Sequence, residues 1–551
     1  MPIIRIILPE LIVGTVACLL FLFGISNKPP VRRAAAAIAL ATLVGVFAWL
    51  CFADTTYETL IESSAAVRLG AFGHFIKLLT AGVGILLVLL NWPSNATATG
   101  NRALNFGEDA GEFFGLMLLS LAGLMLVASA NDLMLLFLAI ELASLPAYVM
   151  VSISRPLPVA QEAGVKYFFL GAMAAAILLF GLSYLYGSTG LTSLYAISTL
   201  FHSQIPASPA DPFSFTPVLT TWQLLAIVIV IIGLLFKLAA VPFHSYVGDV
   251  YEGAATPVTA FLGFVPKASG LVALLKILFV ASGGTWHVSP PLIKLIWWLA
   301  ALTMTFGNVL GILQKHSVKR ALAYSSVANS GYLLVGVAAL IANPLGYDHA
   351  IQATLFYLAA YALMNTGAFA VLTALPARDE DPNTSAETYD DLAGAGRKHL
   401  WLGLAMAICC FSLIGLPLTV GFFGKLIIVQ PALSAHLTGL VVILVINAGI
   451  SAAYYLRIVG ALFLRLDPSH GHPAHPGYHP HHHPAPHNPL SAPLAISLAV
   501  WLSAGSVLLL GTLLPATQIL SNHTLGATIL DNTPQIPTSE PARTSTAAAP
   551  L

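Results

Sequence analysis

The chain has 551 residues with 23 basic and 23 acidic side chains, and only 8% of it is charged while 57% is hydrophobic. An ordinary globular chain is about 25% charged, so this composition excludes a water-soluble fold and calls for a solvent that tolerates apolar surface on every side. That solvent is lipid, and the zero net charge gives no pull toward nucleic acid or acidic ligands, so the positions of the few charges become the informative quantity.

A bilayer-spanning helix needs about 20 mostly apolar residues, because every backbone polar group must be bonded within the segment. On this rule the sequence predicts an all-α polytopic membrane protein of fourteen spans. Spans 1 to 3 cover 6–25, 33–52 and 72–92. The first follows only Met-Pro-Ile-Ile-Arg and has no small-residue cleavage site after it, so it is expected to be a retained helix. Spans 4 to 8 cover 112–129, 132–153, 162–186, 222–247 and 256–280. Spans 9 to 13 cover 291–312, 321–342, 349–376, 400–431 and 436–463, and span 14 covers 491–515.

Loops after odd-numbered spans hold Lys28, Arg32, Arg33, Arg102, Arg155, Lys315, Lys319, Arg320, Arg378, Arg397, Lys398 and Arg465, twelve in all. Even loops and termini hold only Arg5, Arg68 and Arg543. Basic residues are retained on the cytoplasmic side, so the odd loops are expected there and both termini outside. Eight basic residues remain within spans. Lys77, Lys276 and Lys294 lie near the outer ends of spans 3, 8 and 9, where a long stem can carry the ammonium to the interface. Lys166, Lys237, Lys267, Lys425 and Arg457 are deeper, where a charge costs at least ~2.5 to 3.5 kcal/mol.

Glu141, in LFLAIELASLPAY on span 5, has no basic residue in its own span, so its partner must come from another. Lys237, in GLLFKLAAVPFH on span 7, is the natural candidate, either as a functional pair or as a static one that fixes packing. Lys267 follows Pro266 in the middle of span 8, in a span with no carboxylate. Desolvation weakens an ammonium's hold on its proton, which suits such a lysine to proton exchange. Lys425 repeats the pattern in span 12, eight residues after Pro417, and three lysines in such positions read as a relay.

Proline inside a span frees a carbonyl and breaks or kinks the helix beside a cavity, so Pro242 and Pro417 predict broken helices in spans 7 and 12. Those spans are five apart, which suits two inverted repeats of five helices each, with their ion paths meeting at the bilayer midplane. His244, two residues past Pro242, is a candidate bridge from the lysines to water, or a cap on the broken helix. Glu162 and Lys166, spaced i,i+4 on the first turn of span 6, are candidates to modulate the Glu141 pair, and equally suit ordinary helix-surface support. Arg457 has no matching acid in span 13 and receives no role.

Outside the spans, residues 377–399 with ETYDDLAG suit a short amphipathic surface helix or a solvated linker. HGHPAHPGYHPHHHPAPH at 470–487 holds eight histidines, but its prolines prevent regular ligand spacing, which favours a disordered cytoplasmic insertion over a metal site. The tail from 531 is rich in Pro, Thr, Ser and Ala and also reads as disordered. Cys18, Cys51, Cys409 and Cys410 lie in apolar runs without metal or CxxC spacing. No GxGxxG, P-loop or HExxH run occurs, so no cofactor and no metal is expected in this chain.

LLFKLAAVPFHSYVGDVYEGAATPVTAFLGFVPKASG at 234–270, KRALAYSSVANSGYLLVG at 319–336 and GLPLTVGFFGKL at 415–426 resemble the antiporter-like membrane subunits of respiratory complex I, the proton-translocating NADH-quinone oxidoreductase. The likeness runs from about span 4 to span 13 and is closest to the N-type branch, through PKASG in span 8 and the lysine at 425, where the M-type typically has glutamate. The L-type is disfavoured because no long amphipathic helix and further span follow span 14. The resemblance implies fourteen helices with two inverted five-helix repeats. It casts Glu141 and Lys237 as a conformationally coupled pair, Lys267 as central proton carrier and Lys425 as outlet.

It further implies a multi-pass protein of the bacterial inner membrane whose partners are other complex I membrane subunits, the peripheral redox arm and lipid. NADH and quinone would be used by the whole complex. The expected map is a three-span segment 1–111, a first repeat 112–280, a second repeat 281–463, a His/Pro-rich cytoplasmic loop 464–490, span 14 at 491–515 and a disordered tail 516–551. Asn329 departs from the histidine common in the family after YSS, so a titrating role there is in doubt. A subunit of a multi-subunit sodium/proton antiporter, and a purely structural membrane subunit, are the competing readings.

Overall fold

The computed structural model describes residues 2–25, 29–52, 65–93, 110–155, 157–206, 216–343, 347–375, 386–465 and 494–512. The histidine-rich stretch 470–487, the tail from 516 and Arg378 to Asp381 lie outside the described residues.

Among the described residues the chain is helical, with only isolated backbone bridges and no strand. The first helices are α1 (Pro2–Gly24), α2 (Pro29–Phe52), α3 (Ala71–Leu90), α4 (Ala110–Ser129), α5 (Leu133–Ile153) and α6 (Pro158–Thr189). A short α7 (Leu194–His202) precedes α8 (Thr221–Lys237), α9 (Val247–Gly253), α10 (Thr256–Ala281), α11 (Pro290–Leu313), α12 (Val318–Ala342) and α13 (Tyr347–Ala374). The chain continues through α14 (Ala395–Lys398), α15 (Leu400–Ile414), α16 (Val420–Ser434), α17 (Thr438–Phe463) and α18 (Leu494–Thr512).

Twelve of these helices are long and apolar enough to cross a membrane unaided. The seventh and twelfth spans are the broken ones. α8 starts at a capping box, with the Thr220 hydroxyl and Gln223 side chain exchanging hydrogen bonds with each other's backbone, and stops at Lys237. The chain then turns through Ala239 and Pro242 into α9. α15 stops at Ile414, where Gly415 takes φ +91°, and α16 resumes at Val420.

Contacts between loops sort the ends. Val67 pairs with Ala130, Asp132 with Ser193, and the His202 ring meets the Gly283 carbonyl, so loops after spans 2, 4, 6 and 8 share one end. At the other end Ser317 pairs with Thr388, Arg155 with Glu387 and Arg465 with Asp390, joining loops after spans 5, 9, 11 and 13. Alternate loops on opposite ends are what a chain crossing once per span requires. α10 is buried at every position, and α12 nearly so, so both lie inside the bundle with little surface left to lipid. These two form the axis on which the buried charges are arranged.

Candidate functional site

Lys237 is the last residue of α8, so its side chain leaves from a helix end whose free carbonyls carry partial negative charge. Its Nζ lies 3.0 Å from Glu141 Oε1 and donates to Ser144 Oγ at 2.8 Å and Tyr148 Oη at 3.1 Å. Glu141, Ser144 and Tyr148 are spaced i, i+3 and i+7 on α5 and therefore share one face. All three ammonium protons are used. Tyr167 of α6 packs on Tyr148 and stacks on Tyr246, enclosing the pair in aromatic rings.

Beyond Lys237 a cavity of about 10 Å³, space for about one water, is lined by both Lys237 and Lys267 together with Tyr167, Tyr246, Tyr251 and Pro266. Lys267 has no carboxylate partner among the described residues. Its Nζ donates to the Ser326 carbonyl, to Ser326 Oγ at 2.9 Å and to Ser330 Oγ at 3.0 Å, all from α12. The Tyr361 ring lies 5.9 Å away.

The next polar groups follow on α12 and α13. Asn329 donates to the Ser325 carbonyl at 2.8 Å and accepts from Tyr357 Oη at 2.6 Å, so its amide is held on both sides. Tyr357 stands edge to face with Tyr332, whose ring lies 4.7 Å from Lys425 Nζ. Lys425 reaches back from α16 to the carbonyls of Leu413 and Ile414 at 2.8 and 2.9 Å, at the open end of α15. Lys237 and Lys425 thus both sit at the C-terminus of a half-helix, the place where a cation is favoured.

The other expected residues fall elsewhere. His244 lies 5.9 Å from the Phe306 ring, and no hydrogen bond ties it to either lysine. Lys166, expected deep in the membrane, is 44% exposed and bonded to Glu162 at 2.8 Å and Asp249 at 3.1 Å. Asp249 continues to Arg320 and Arg320 to Glu252, so this chain of ions ties α6, α9 and α12 at the surface and does not reach Glu141. α6 has 32 residues, about 48 Å of helix, so its first turns extend beyond a ~30 Å hydrocarbon core and carry Lys166 out with them. Arg457, also expected deep, caps α11 by donating to the carbonyls of Ile312 and Gln314.

Lys294 is exposed, as snorkelling requires. Lys77 and Lys276 are not: both are buried, Lys77 against Glu10 and Lys276 against the Ala130 carbonyl. Lys319, expected in a loop, is fully buried on the first turn of α12 and bonded to Glu387 and the Ala254 carbonyl. Ser326, Ser330, Tyr148, Glu387 and Glu10 were not singled out by sequence reasoning. The i+3 and i+7 positions from Glu141, and the i,i+4 pair 326 and 330, were the available signal.

This arrangement agrees with comparison to known proteins. The family described as NADH:quinone oxidoreductase/Mrp antiporter, TM, matches residues 130–451. NADH-quinone oxidoreductase subunit N of Trichlorobacter lovleyi is 36% identical over 84% of this chain and 88% of its own. Subunit N 1 of Sorangium cellulosum is 40% identical over 66% of this chain and 69% of its own. A chain of the solved respiratory complex I from Thermus thermophilus with bound Aureothin superposes with a TM-score of 0.69 at 28% identity, covering 94% of this chain and all of that one.

Proposed function

Because the chain belongs to the NADH:quinone oxidoreductase/Mrp antiporter family of membrane proteins, we propose that it is subunit N of a proton-translocating NADH-quinone oxidoreductase, moving protons along Glu141, Lys237, Lys267 and Lys425. The observation that carries this is the graded row of buried lysines: among the described residues Lys237 has a carboxylate partner, while Lys267 and Lys425 are held by hydroxyl and carbonyl dipoles. Parting Glu141 from Lys237 would leave an ammonium without its counter-ion in a low-dielectric site, which favours release of the proton toward the shared cavity and Lys267. The Ser326–Asn329–Tyr357–Tyr332 tract then leads to Lys425 and the break in span 12. Lysine amines gain and lose the proton; the serines and tyrosines orient them.

Moving one charge against 100 mV takes about 2.3 kcal/mol. That energy would come from a redox arm and sister membrane subunits that use NADH and quinone. His244, beside the first break, and the Glu162–Lys166 pair take secondary roles at the cytoplasmic approach. The twelve-to-three distribution of basic residues supports odd loops in the cytoplasm and both termini on the periplasmic side of the bacterial inner membrane. Breaks at corresponding places, each with a lysine at a half-helix end, support inverted repeats over 112–280 and 281–463.

In the assembled complex, Glu141→Ala or Lys237→Ala is expected to lower proton pumping and the quinone reduction coupled to it. Full coupled activity in both variants would refute the relay. The family also includes sodium/proton antiporter subunits, and sodium-dependent proton flux in the absence of NADH and quinone would favour that reading instead.

A further inference from the structure

A second cluster of buried charge lies at the other end of α10 from Thr256, apart from the row just described. Lys77 of α3 is wholly buried, and its Nζ meets Glu10 Oε1 of α1 at 2.7 Å and the Ile6 carbonyl at 2.7 Å. The same Oε1 accepts from Ser129 Oγ at 3.2 Å. The carbonyl of the next residue, Ala130, accepts from Lys276 Nζ of α10 at 2.6 Å. Two ammonium groups and one carboxylate therefore gather at the C-terminal end of α4.

Two features set this cluster apart from a packing pair. Among the described residues the buried Glu10 Oε2 meets no hydrogen-bond donor, while Oε1 is already used by Lys77 and Ser129. An unpaired carboxylate oxygen away from water is costly as an acceptor and well placed to take a proton. Lys276, in addition, is nine residues beyond Lys267 on the same fully buried helix, ~13.5 Å along its axis. No ion pair is formed by Lys276 among the described residues, so the cluster holds one cation more than its carboxylate can match.

We propose that Glu10, Lys77 and Lys276 form a second proton-transfer site, giving the first repeat its own route from α10 to the membrane face at the α4–α5 turn. This rests on the proton-path reading above and adds a branch that does not pass through Lys425. The ammonium of Lys276 gives its proton to the free Oε2 of Glu10, leaving a neutral amine and a carboxylic acid. Lys77 keeps its proton and goes on donating a hydrogen bond to Oε1, Glu10 releases the transferred proton to water at that face, and Lys276 is reprotonated from the Lys267 side of α10.

The test compares Lys267→Met, Lys276→Arg and Glu10→Gln in the assembled complex in membrane vesicles, measuring protons moved per quinone reduced and the amount of complex formed. Arginine keeps the charge and a donor for the Ala130 carbonyl but does not give up its proton, and glutamine keeps the shape and hydrogen bonds of Glu10. The expected result is normal assembly with a loss of proton yield in both Lys276→Arg and Glu10→Gln. Normal yield in both, with Lys267→Met impaired, overturns this site and leaves the relay standing. Normal yield in all three overturns the relay as well. Should Lys276→Arg fail to assemble, the yield of Glu10→Gln decides alone.

Discussion

Lys237 and Lys267 each spend three protons on three acceptors, but the acceptors differ in kind. Glu141 gives Lys237 a full negative charge, whereas Lys267 has only a carbonyl and two hydroxyls. A lysine held by dipoles can lose its proton without stranding a buried carboxylate, which is what a carrier between two other sites requires. Removing one hydroxyl leaves a buried donor unmatched, at a cost of about 1–3 kcal/mol. Ser330→Ala is therefore expected to lower the thermal midpoint of the complex and slow proton flux, and Ser326→Ala/Ser330→Ala to do both more strongly. An unchanged midpoint and flux in the double variant would count against this account. Glu141 and the three lysines were legible in the sequence because a charge inside an apolar run has few innocent explanations. Their holders were not, because serine and tyrosine are ordinary in such helices and spacing reveals a face without revealing what it meets. The same blindness explains Lys77 and Lys276: distance from a span's end suggested snorkelling, while their side chains point across to α1 and α4.

α15 and α16 have 15 residues each, about 22 Å of helix, so neither alone crosses a ~30 Å hydrocarbon core. Their junction must therefore bring α16 back close beneath the end of α15. Gly421 makes this possible: its N–H meets Ser412 Oγ at 3.0 Å, and a Cβ there would stand 1.9 Å from the Ser412 carbonyl oxygen. Lys425 is one turn further on the same face, which delivers its ammonium to the Leu413 and Ile414 carbonyls. Gly421→Ala must push the half-helices apart, an overpacking cost of about 1–3 kcal/mol, and is expected to lower the midpoint and the flux together. Gly449 on α17 has nothing within 4 Å of its would-be Cβ, so Gly449→Ala should change neither. Equal midpoints for the two variants would dispose of the argument. Proline announced both broken spans, but it does not end either helix. α8 stops five residues before Pro242, and the turns rest on Ala239, Gly415 and Leu418 at positive φ. Two of these three are not glycine, so no residue type flagged them.

Glu387 joins helices that the relay occupies separately. It pairs with Arg155 just past the end of α5, accepts from Thr256 Oγ1 at the start of α10 at 3.3 Å, and meets Lys319 Nζ on the first turn of α12 at 3.1 Å. α5 carries Glu141, α10 carries Lys267 and α12 carries Ser326 and Ser330, so one carboxylate fixes the ends of all three. Burial pushes the Arg155 guanidinium down to about 10, still far above neutral, so it keeps its charge and needs a counter-ion there. The residue stands in the ETYDDLAG stretch, which reads from sequence as a surface helix or linker, because the role of Glu387 depends on loops far apart in the chain. Glu387→Gln removes the charge shared by two poorly hydrated cations. Breaking such a pair costs about 3–5 kcal/mol when fully buried, and the lower end applies because Glu387 keeps 21% of its side chain exposed. Asp390→Asn, which breaks an exposed pair with Arg465, serves as the comparison and is expected to leave the thermal midpoint unchanged. Because Arg155 titrates near 10, its part of the loss in Glu387→Gln should persist on either side of neutrality. A Glu387→Gln complex as stable as Asp390→Asn, or one whose deficit appears only on acidification, would mean that these three helix ends are held by something other than this carboxylate.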